Sequence, residues 1–293
     1  MLSILIPTYN YNVYPLVLEL HKQCLDCGIE FEILVQDDGS KLFLDENKKI
    51  NSLTNCIFEI LNDNIGRSKI RNLLAQKSKF EYLLFLDADT FPVNNNFISI
   101  YSKQIKSQEE IVFGGIQYHK NKPKKDKLLR WVYGNKRESL SVKYRSQKTN
   151  SRALASNLLV QKRIITLYPF DSQIINYGYE DLCFLWILET KNIKVFHIEN
   201  PTYHLNLETS ILFLKKTKTA IENLVYIINS GKYPNIDSKI NSSYIVLKKI
   251  KLITVTTFIF NKIESLIISN LLSKHPSLFL YDIYKLGYYC SIK

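Results

Sequence analysis

Residues 82–91, which read YLLFLDADTF, constrain the fold more than any other stretch of the chain. Residues 82–86 form an apolar run of strand length, and the run ends at two carboxylates, Asp87 and Asp89, separated only by Ala88. In an extended chain, residues i and i+2 project to the same face, so a buried strand would deliver the two acids side by side. Open α/β sheets bind their ligands at the carboxyl ends of their strands. The stretch therefore predicts an α/β fold with an acidic ligand site.

The pair of acids has two interpretations. Adjacent carboxylates repel each other unless a cation lies between them or one of them stays protonated. Hard divalent cations prefer oxygen ligands, so Asp87 and Asp89 could form a Mg²⁺ or Mn²⁺ site. Alternatively, the strand simply ends in a solvated turn, and Asp89 caps a helix that follows Pro92. The D-x-D pattern alone does not separate the two.

Strand and helix patterns alternate along the first part of the chain. Apolar runs at 2–6, 31–35 and 57–61 predict strands, and apolar residues at helical spacing predict helices at 13–25 and 67–76. This rhythm is typical of βαβ units and predicts a mainly parallel sheet flanked by helices. Each polar motif follows a strand, so we expect the motifs to gather at one edge of the sheet.

Charge and targeting signals limit the partners and the location. The formal net charge of +12 favours an anionic partner such as a nucleotide, a phosphorylated acceptor, nucleic acid or a membrane surface. No known nucleic-acid-binding motif is present, so we expect no nucleic-acid partner. The five cysteines are scattered, the N-terminus lacks a signal peptide, and no apolar run reaches transmembrane length. We therefore expect a cytoplasmic protein, either soluble or peripheral at the inner face of the membrane.

Two further polar motifs follow predicted strands. The sequence QDDGS at 36–40 is either a plain turn or a means of placing Asp38 against a base or a ribose. The sequence GRSKIRN at 66–72 is either a solvated basic helix face or a helix N-terminus with Arg67 and Arg71 aimed at a nucleotide. It is not a P-loop, because it lacks the first glycine and the lysine of that motif. No G-x-G-x-x-G follows the first strand, which counts against a dinucleotide-binding dehydrogenase.

Taken together, four linked motifs carry a family resemblance. IPTYN at 6–10, QDDGS at 36–40, N-x-G-R-x-x-x-R-N at 64–72 and FLDADT at 85–90 resemble, in order and spacing, the family 2 glycosyltransferases of the GT-A fold. The resemblance implies a Rossmann-like sheet, a nucleotide-sugar donor with UDP favoured, Mn²⁺ or Mg²⁺ as cofactor, and inversion at the anomeric carbon.

The resemblance also implies roles for individual residues. Asp87 and Asp89 would serve the metal and the diphosphate, and Thr8 and Asp38 would contact the nucleoside. The full set expected to bind the nucleotide-sugar is Pro7, Thr8, Tyr9, Asn10, Asp38, Gly66, Arg67, Arg71, Asp87, Ala88 and Asp89.

Catalysis and the rest of the metal shell are expected from the middle of the chain. Related enzymes carry an acidic pair ahead of an apolar helix, which implies Asp181 as general base and Glu180 as a ligand of acceptor hydroxyls. From the residues alone, the two acids could equally cap the helix. Such enzymes commonly add a histidine to the metal shell after this helix. His204, just after a turn, suits that role better than His197.

The domain organisation follows from these assignments. We expect a catalytic domain at 1–207, with a nucleotide-sugar half at about 1–116 and an acceptor half at about 117–207, and a helical extension at 208–293. The lysine-rich stretch 117–152 predicts a loop, either mobile near the site or merely solvated. The extension could pack on the catalytic domain, form a dimer or lie on an anionic membrane. We favour packing, with membrane contact second.

The expected function is metal-dependent transfer of a sugar to a hydroxyl of a glycan or a lipid-linked acceptor, in cell-surface polysaccharide synthesis. Two alternatives stay open. One is a catalytically silent relative that anchors a polysaccharide assembly complex at the membrane. The other is a sugar nucleotidyltransferase, although the glycine-rich phosphate loop of that class is missing after the first strand.

Overall fold

The computed structural model describes all 293 residues and divides into two compact units. We call residues 1–117, 139–175 and 180–206 the sheet unit. Residues 118–138, 176–179 and 207–293 form the helical unit. Each unit is thus assembled from several segments of the chain. The expected catalytic domain at 1–207 and helical extension at 208–293 stay a prediction.

The strands all lie in the sheet unit. They are β1 (Leu2–Thr8), β2 (Phe31–Asp37), β3 (Cys56–Ile60), β4 (Tyr82–Leu86), β5 (Thr90–Pro92), β6 (Ile111–Phe113), β7 (Ile116–Gln117), β8 (Asn157–Gln161), β9 (Phe196–His197) and β10 (Thr202–His204). Seven of them form one sheet in the order β3-β2-β1-β4-β8-β6-β9, and β5-β10-β7 form a small second sheet.

Twelve α-helices complete the architecture. They are α1 (Tyr14–Asp26), α2 (Leu44–Lys48), α3 (Arg67–Lys77), α4 (Phe97–Lys106), α5 (Leu128–Tyr133), α6 (Val142–Arg145), α7 (Lys162–Leu167), α8 (Glu180–Thr190), α9 (Ser210–Asn229), α10 (Lys239–Lys249), α11 (Ile253–Leu271) and α12 (Leu278–Ile292). None of these helices combines the length and the apolar character needed to cross a lipid bilayer.

The large sheet is buried on both faces, as β4 shows. Leu84 and Leu86 pack into the core on one face, and Leu83 and Phe85 pack into the core on the other. A strand covered on both sides reads as a continuous apolar run, which explains the composition of 82–86. Strands β1 to β4 are parallel, and only β8 runs against its neighbours. The mainly parallel sheet flanked by helices and the helical C-terminal region are therefore confirmed.

The stretch 117–152 differs from the loop that its lysines predicted. It contains α5 and α6, joined through a π-helical turn at Gly134–Glu138. Leu128 and Leu129 are buried, and these apolar residues hold α5 in place despite the basic segment before it. The loop prediction was wrong for this part of the stretch, because burial of Leu128 and Leu129 stabilises a helix directly after the lysines.

The helical unit has its own core. Phe213 and Leu214 of α9 meet Phe260 and Leu271 of α11 and Tyr284 of α12 in one buried cluster. Helices α11 and α12 approach closely at Gly287, where an added Cβ would overlap the ring of Phe260. Only glycine therefore permits this contact.

Candidate active site

The two acids after β4 lie in a turn that leads directly into β5. The amide and the hydroxyl of Thr90 donate to the carbonyl of Asp87, at 3.1 and 2.7 Å. The acids therefore leave the extended conformation that placed them on one strand face in the sequence interpretation. Helix α4 begins later, at Phe97, with Asn96 as its N-cap. The alternative in which Asp89 caps that helix is wrong, because β5 intervenes.

Arg71 of α3 lies between the acid after β4 and an acid of α8. Its Nη2 is 3.0 Å from Oδ1 of Asp87, and its Nη1 is 2.7 Å from Oδ1 of Asp181. The guanidinium is also 5.4 Å from the centroid of the Phe170 ring. Only 2% of the Arg71 side chain is exposed, against 50% for Arg67 one turn earlier. Arg71 thus joins two carboxylates, and its predicted contact with the nucleotide stays a prediction.

The charges of this cluster depend on one another. Burial alone would lower the pKa of Arg71, but the carboxylates of Asp181, Asp87 and Glu180 raise it overall. Burial alone would raise the pKa of Asp87, but the guanidinium of Arg71 brings it below its ordinary value. For Asp181, burial outweighs Arg71, and the pKa is raised. Asp87 is therefore the firmly ionised partner, and Asp181 is the more basic carboxylate.

The acidic pair lies in the first turn of α8. Oδ2 of Asp181 accepts a hydrogen bond from the amide of Ala155 at 3.0 Å. Glu180 is 3.4 Å from Arg67 and 3.8 Å from Arg71. Its side chain is 7% exposed, whereas that of Asp181 is 20% exposed. Both acids therefore do more than cap a helix, and Asp181 is the more accessible of the two.

Asp89 faces a histidine from the small sheet. Residues Thr90 of β5 and His204 of β10 pair, and Oδ2 of Asp89 is 3.6 Å from Nε2 of His204. Burial raises the pKa of Asp89, and the charge of Asp87 adds to that effect, while His204 opposes it. Burial and the charge of Asp89 also raise the pKa of Tyr11. The Tyr11 side chain is therefore near enough to Asp89 to feel its charge, and the sequence interpretation did not include it.

Asp89 and His204 fit a divalent cation as a partial ligand set. No group of three or more histidine, cysteine or acidic side chains is placed to hold a metal. Two neighbouring ligands at about 2.1 Å from one octahedral ion lie about 3 Å apart, close to the 3.6 Å found here. Burial disfavours the Asp89 carboxylate, and a cation would offset that effect. Asp89 and His204 thus suit two positions in the shell of such an ion, and metal binding stays a prediction.

His197, the other histidine considered for the metal, has different neighbours. Its Nε2 lies 2.7 Å from the carbonyl of Thr149, and its Nδ1 lies 3.4 Å from Arg145. Burial lowers the pKa of His197. The imidazole therefore belongs to a buried contact around Arg145, and it is His204 that reaches Asp89.

Asp38 connects the turn after β2 to the loop before α3. Its Oδ1 accepts from the amide of Ile65 at 2.7 Å, and its Oδ2 accepts from the amide of Gly66 at 3.1 Å. Gly39, with φ of +78°, allows the two loops to meet, since an added Cβ would lie 3.0 Å from the backbone of Asp63. Asp38 thus has a clear structural role, and its predicted contact with the nucleoside stays a prediction.

The motif after β1 is fixed in a similar way. The carbonyl of Thr8 accepts from the amide of Asp38 at 2.9 Å. Oδ1 of Asn10 accepts from the amides of Lys41 and Leu42, at 2.8 and 3.1 Å. The Tyr9 side chain is 54% exposed beside these contacts. The structure thus brings the IPTYN, QDDGS and GRSKIRN motifs together at the carboxyl ends of β1 and β2.

Comparison with known proteins gives one family match. A model described as glycosyl transferase family 2 matches residues 3–166. The uncharacterised glycosyltransferase YfnE of Bacillus subtilis (strain 168) is 23% identical, over 61% of this chain and 58% of YfnE. The chain therefore spans less than two thirds of this relative.

Solved structures share the fold at low identity. S. aureus TarS 1–349 has a TM-score of 0.50 at 18% identity, over 81% of this chain and 66% of TarS 1–349. The mannosyltransferase PcManGT from Pyrobaculum calidifontis, in complex with GDP-Man and Mn²⁺, has a TM-score of 0.54 at 12% identity, over 80% and 65%. GalNAc-T7 with UDP, GalNAc and Mn²⁺ has a TM-score of 0.52 at 18% identity, over 71% and 43%. These structures confirm the GT-A architecture.

Proposed function

The chain belongs to glycosyl transferase family 2, and we propose that it moves a sugar from a nucleotide-sugar to an acceptor hydroxyl with inversion at the anomeric carbon. The observation that carries this proposal is the charged cluster at the carboxyl edge of the sheet. There, Arg71 joins Asp87 at 3.0 Å to Asp181 at 2.7 Å. This cluster supports the proposal because Asp181, the proposed proton acceptor, shares the guanidinium of Arg71 with Asp87, which is proposed to serve the diphosphate.

Asp181 is the proposed general base. Burial raises its pKa, which makes the carboxylate a stronger proton acceptor. Arg71 and the amide of Ala155 orient its two oxygens. The acceptor proton passes to Asp181 as the acceptor oxygen bonds to the anomeric carbon, and the bond from that carbon to the diphosphate oxygen breaks. This single displacement inverts the configuration and requires no enzyme nucleophile. Glu180 would bind other acceptor hydroxyls.

Asp89 and His204, with Asp87 beside them, would hold Mn²⁺ or Mg²⁺. When bound, the ion would offset the negative charge that develops on the leaving nucleoside diphosphate. An imidazole nitrogen among oxygen ligands favours Mn²⁺. The half-exposed guanidinium of Arg67 is suited to a phosphate oxygen, because a charged donor binds phosphate strongly.

The donor would lie along the three motifs that meet after β1 and β2. The residues proposed to hold its nucleoside are Pro7, Thr8, Tyr9, Asn10, Asp38 and Gly66. We favour a UDP-sugar. GalNAc-T7 was solved with UDP and PcManGT with GDP-Man, so both nucleotides belong in the test.

We further propose a glycan or a lipid-linked acceptor, in cell-surface polysaccharide synthesis at the cytoplasmic face of the membrane. The basic C-terminal region supports a peripheral contact with anionic lipid. Fractionation of cells that produce the full chain tests the location. Recovery outside the cytoplasmic and membrane fractions would contradict it.

Thermal unfolding tests the donor class. The full chain is heated with UDP, GDP or CDP, each with and without Mn²⁺. A ligand that binds only the native state, present at a hundredfold excess over its dissociation constant, adds about 2.7 kcal/mol of stability. We expect one of the three nucleotides to raise the melting temperature, and only when the metal is present. UDP is the nucleotide that we favour. No shift with any nucleotide would contradict the proposal. Pyrophosphate release from a nucleoside triphosphate and a sugar 1-phosphate would instead indicate a nucleotidyltransferase.

A further inference from the structure

Helix α11 is apolar on two opposite sides. One side packs into the core of the helical unit through Phe260, Ile267 and Leu271. The other side carries Val255, Phe258, Ile259 and Leu266, which are 51%, 63%, 50% and 69% exposed. At 3.6 residues per turn, these four side chains project within an arc of about 100°. We call this set the outer face of α11.

An outer face of this kind is unusual on a protein surface in water. A surface helix normally turns polar residues to the solvent and buries a single apolar stripe. Contiguous exposed apolar patches tend to mark contacts with proteins or membranes. The four side chains of the outer face are large, and each keeps half or more of its surface in water. They would be stabilised by an apolar cover.

The charges around the outer face favour one kind of cover. Residues 245–275 contain five lysines, and their one acid, Glu264, is paired with Lys218 at 3.0 Å. Lys262 projects from the same side of α11 as the outer face. Its Nζ lies 5.7 Å from the centroid of the Phe258 ring, so an ammonium group accompanies the apolar surface.

This combination of apolar side chains and lysines fits an anionic lipid surface. Lysine stems can lie along apolar surface while their ammonium groups reach the phosphates. A helix with such a face binds in the plane of the membrane interface. A second copy of the chain, placed face to face, would bring lysine against lysine in an apolar contact, which is unfavourable. Lipid phosphates would instead neutralise the same lysines.

We propose that the outer face of α11 lies on a bilayer surface that contains anionic lipid. Phe258 and Leu266 enter the boundary between head groups and acyl chains. Lys262 and the lysines that precede α11, Lys248, Lys249 and Lys251, contact the phosphates. The contact would hold the enzyme at the membrane without a helix that crosses it.

Vesicle flotation of the full chain tests the proposal. We would compare vesicles of phosphatidylcholine alone with vesicles that also contain phosphatidylserine. We expect binding to the second kind. Phe258→Ser or Leu266→Ser should each lower the partition coefficient about tenfold, because a large apolar side chain is lost from the contact. Replacing Lys248, Lys249 and Lys251 with glutamine should lower it about fivefold per lysine.

Leu167→Ser is the matched control for these variants. Leu167 is 64% exposed, which is close to the exposure of Phe258 and Leu266. It lies on α7 in the sheet unit and is not part of the outer face. We expect its binding and melting temperature to equal those of the wild type. Melting temperatures of the outer-face variants should also be unchanged, since the replaced side chains are exposed.

Three results would overturn the proposal. The first is the absence of binding to vesicles with phosphatidylserine. The second is an equal loss of binding in the Leu167→Ser control. The third is a soluble dimer, seen by sedimentation equilibrium, that Phe258→Ser dissociates, since a second copy would then be the cover. Vesicle binding is measured without a donor, so its failure would leave the proposed sugar transfer untouched.

Discussion

Replacing Arg71 with methionine would leave two carboxylates of the active-site cluster without their shared cation. Methionine keeps much of the apolar stem but donates no hydrogen bond. Arg71 is 2% exposed and contacts Asp87 at 3.0 Å and Asp181 at 2.7 Å. The groups that would still offset the charge on these acids include Arg67, His204 and the amide of Ala155. We therefore expect a large loss of stability from this single substitution.

The size of the loss follows from burial. Removing one partner of a buried ion pair costs about 3–5 kcal/mol. Asp87 and Asp181 keep 27% and 20% of their side-chain surface exposed, so water screens part of the effect. We expect about 3 kcal/mol, which lowers the melting temperature by about 6 °C in a chain of this size.

Urea unfolding followed by circular dichroism measures this loss. Arg67→Met is the matched control, because Arg67 sits one turn earlier on α3 and is 50% exposed. Its partner Glu180 is buried, but water screens the half-exposed guanidinium of Arg67, so the loss should be about 1 kcal/mol, smaller than that for Arg71. Adding Asp181→Asn to Arg71→Met should recover part of the lost stability, because one unpaired charge is removed. If Arg71→Met unfolds at the same urea concentration as the wild type, the cluster is not held together as described.

Four other predictions concern the site and the core. Asp181→Asn should lower transfer by at least about a hundredfold while leaving the metal-dependent shift with nucleotide intact, and a nearly normal rate would contradict its role as base. Asp89→Asn should weaken nucleotide binding only when Mn²⁺ is present, and an unchanged metal-dependent affinity would exclude that role. The pKa of His197 is lower in the folded protein than in the unfolded chain. As the pH falls, the unfolded chain therefore takes up the proton at a higher pH than the folded protein does. The free energy of unfolding should then decrease as the pH drops below about 6.5. His197→Gln should flatten this dependence in urea titrations. Cys24 is buried, which strongly raises its pKa, whereas Cys27 is partly exposed. Mass spectrometry should therefore find Cys27 alkylated before Cys24 in the native protein.

Local patterns predicted the sheet because its strands are buried on both faces. Five consecutive apolar residues at 82–86 are typical of a strand that is buried on both faces. The polar motifs that follow the strands indicated one edge of the sheet as the site. Asp87 was found because it directly follows a buried strand, whereas Asp181 was assigned from the family resemblance. The sequence interpretation therefore found the acids of the cluster and most of the loop residues around them.

Contacts between distant segments were beyond that logic. Arg71 was placed on the correct helix, but only the packing of α3 shows that its guanidinium lies between Asp87 and Asp181. Tyr11 was missed although it directly follows IPTYN, because one more tyrosine in a loop carries no charge signal. The Ala155 amide that binds Asp181 is a backbone group, so no residue type could reveal it.

The reversed direction of β8 gives the active site a built-in reporter. Because β8 runs against β4, the segment that leads into it reaches the edge where β4 ends, and the amide of Asp87 donates to Ser156 there at 3.3 Å. Ala155 precedes Ser156, and its amide donates a hydrogen bond to Asp181. Hydrogen exchange at the Ala155 amide should therefore be slow only while the Asp181 carboxylate, the proposed base, accepts its hydrogen bond. One backbone proton would thus report when Asp181 moves away from this position, in the absence of any substrate.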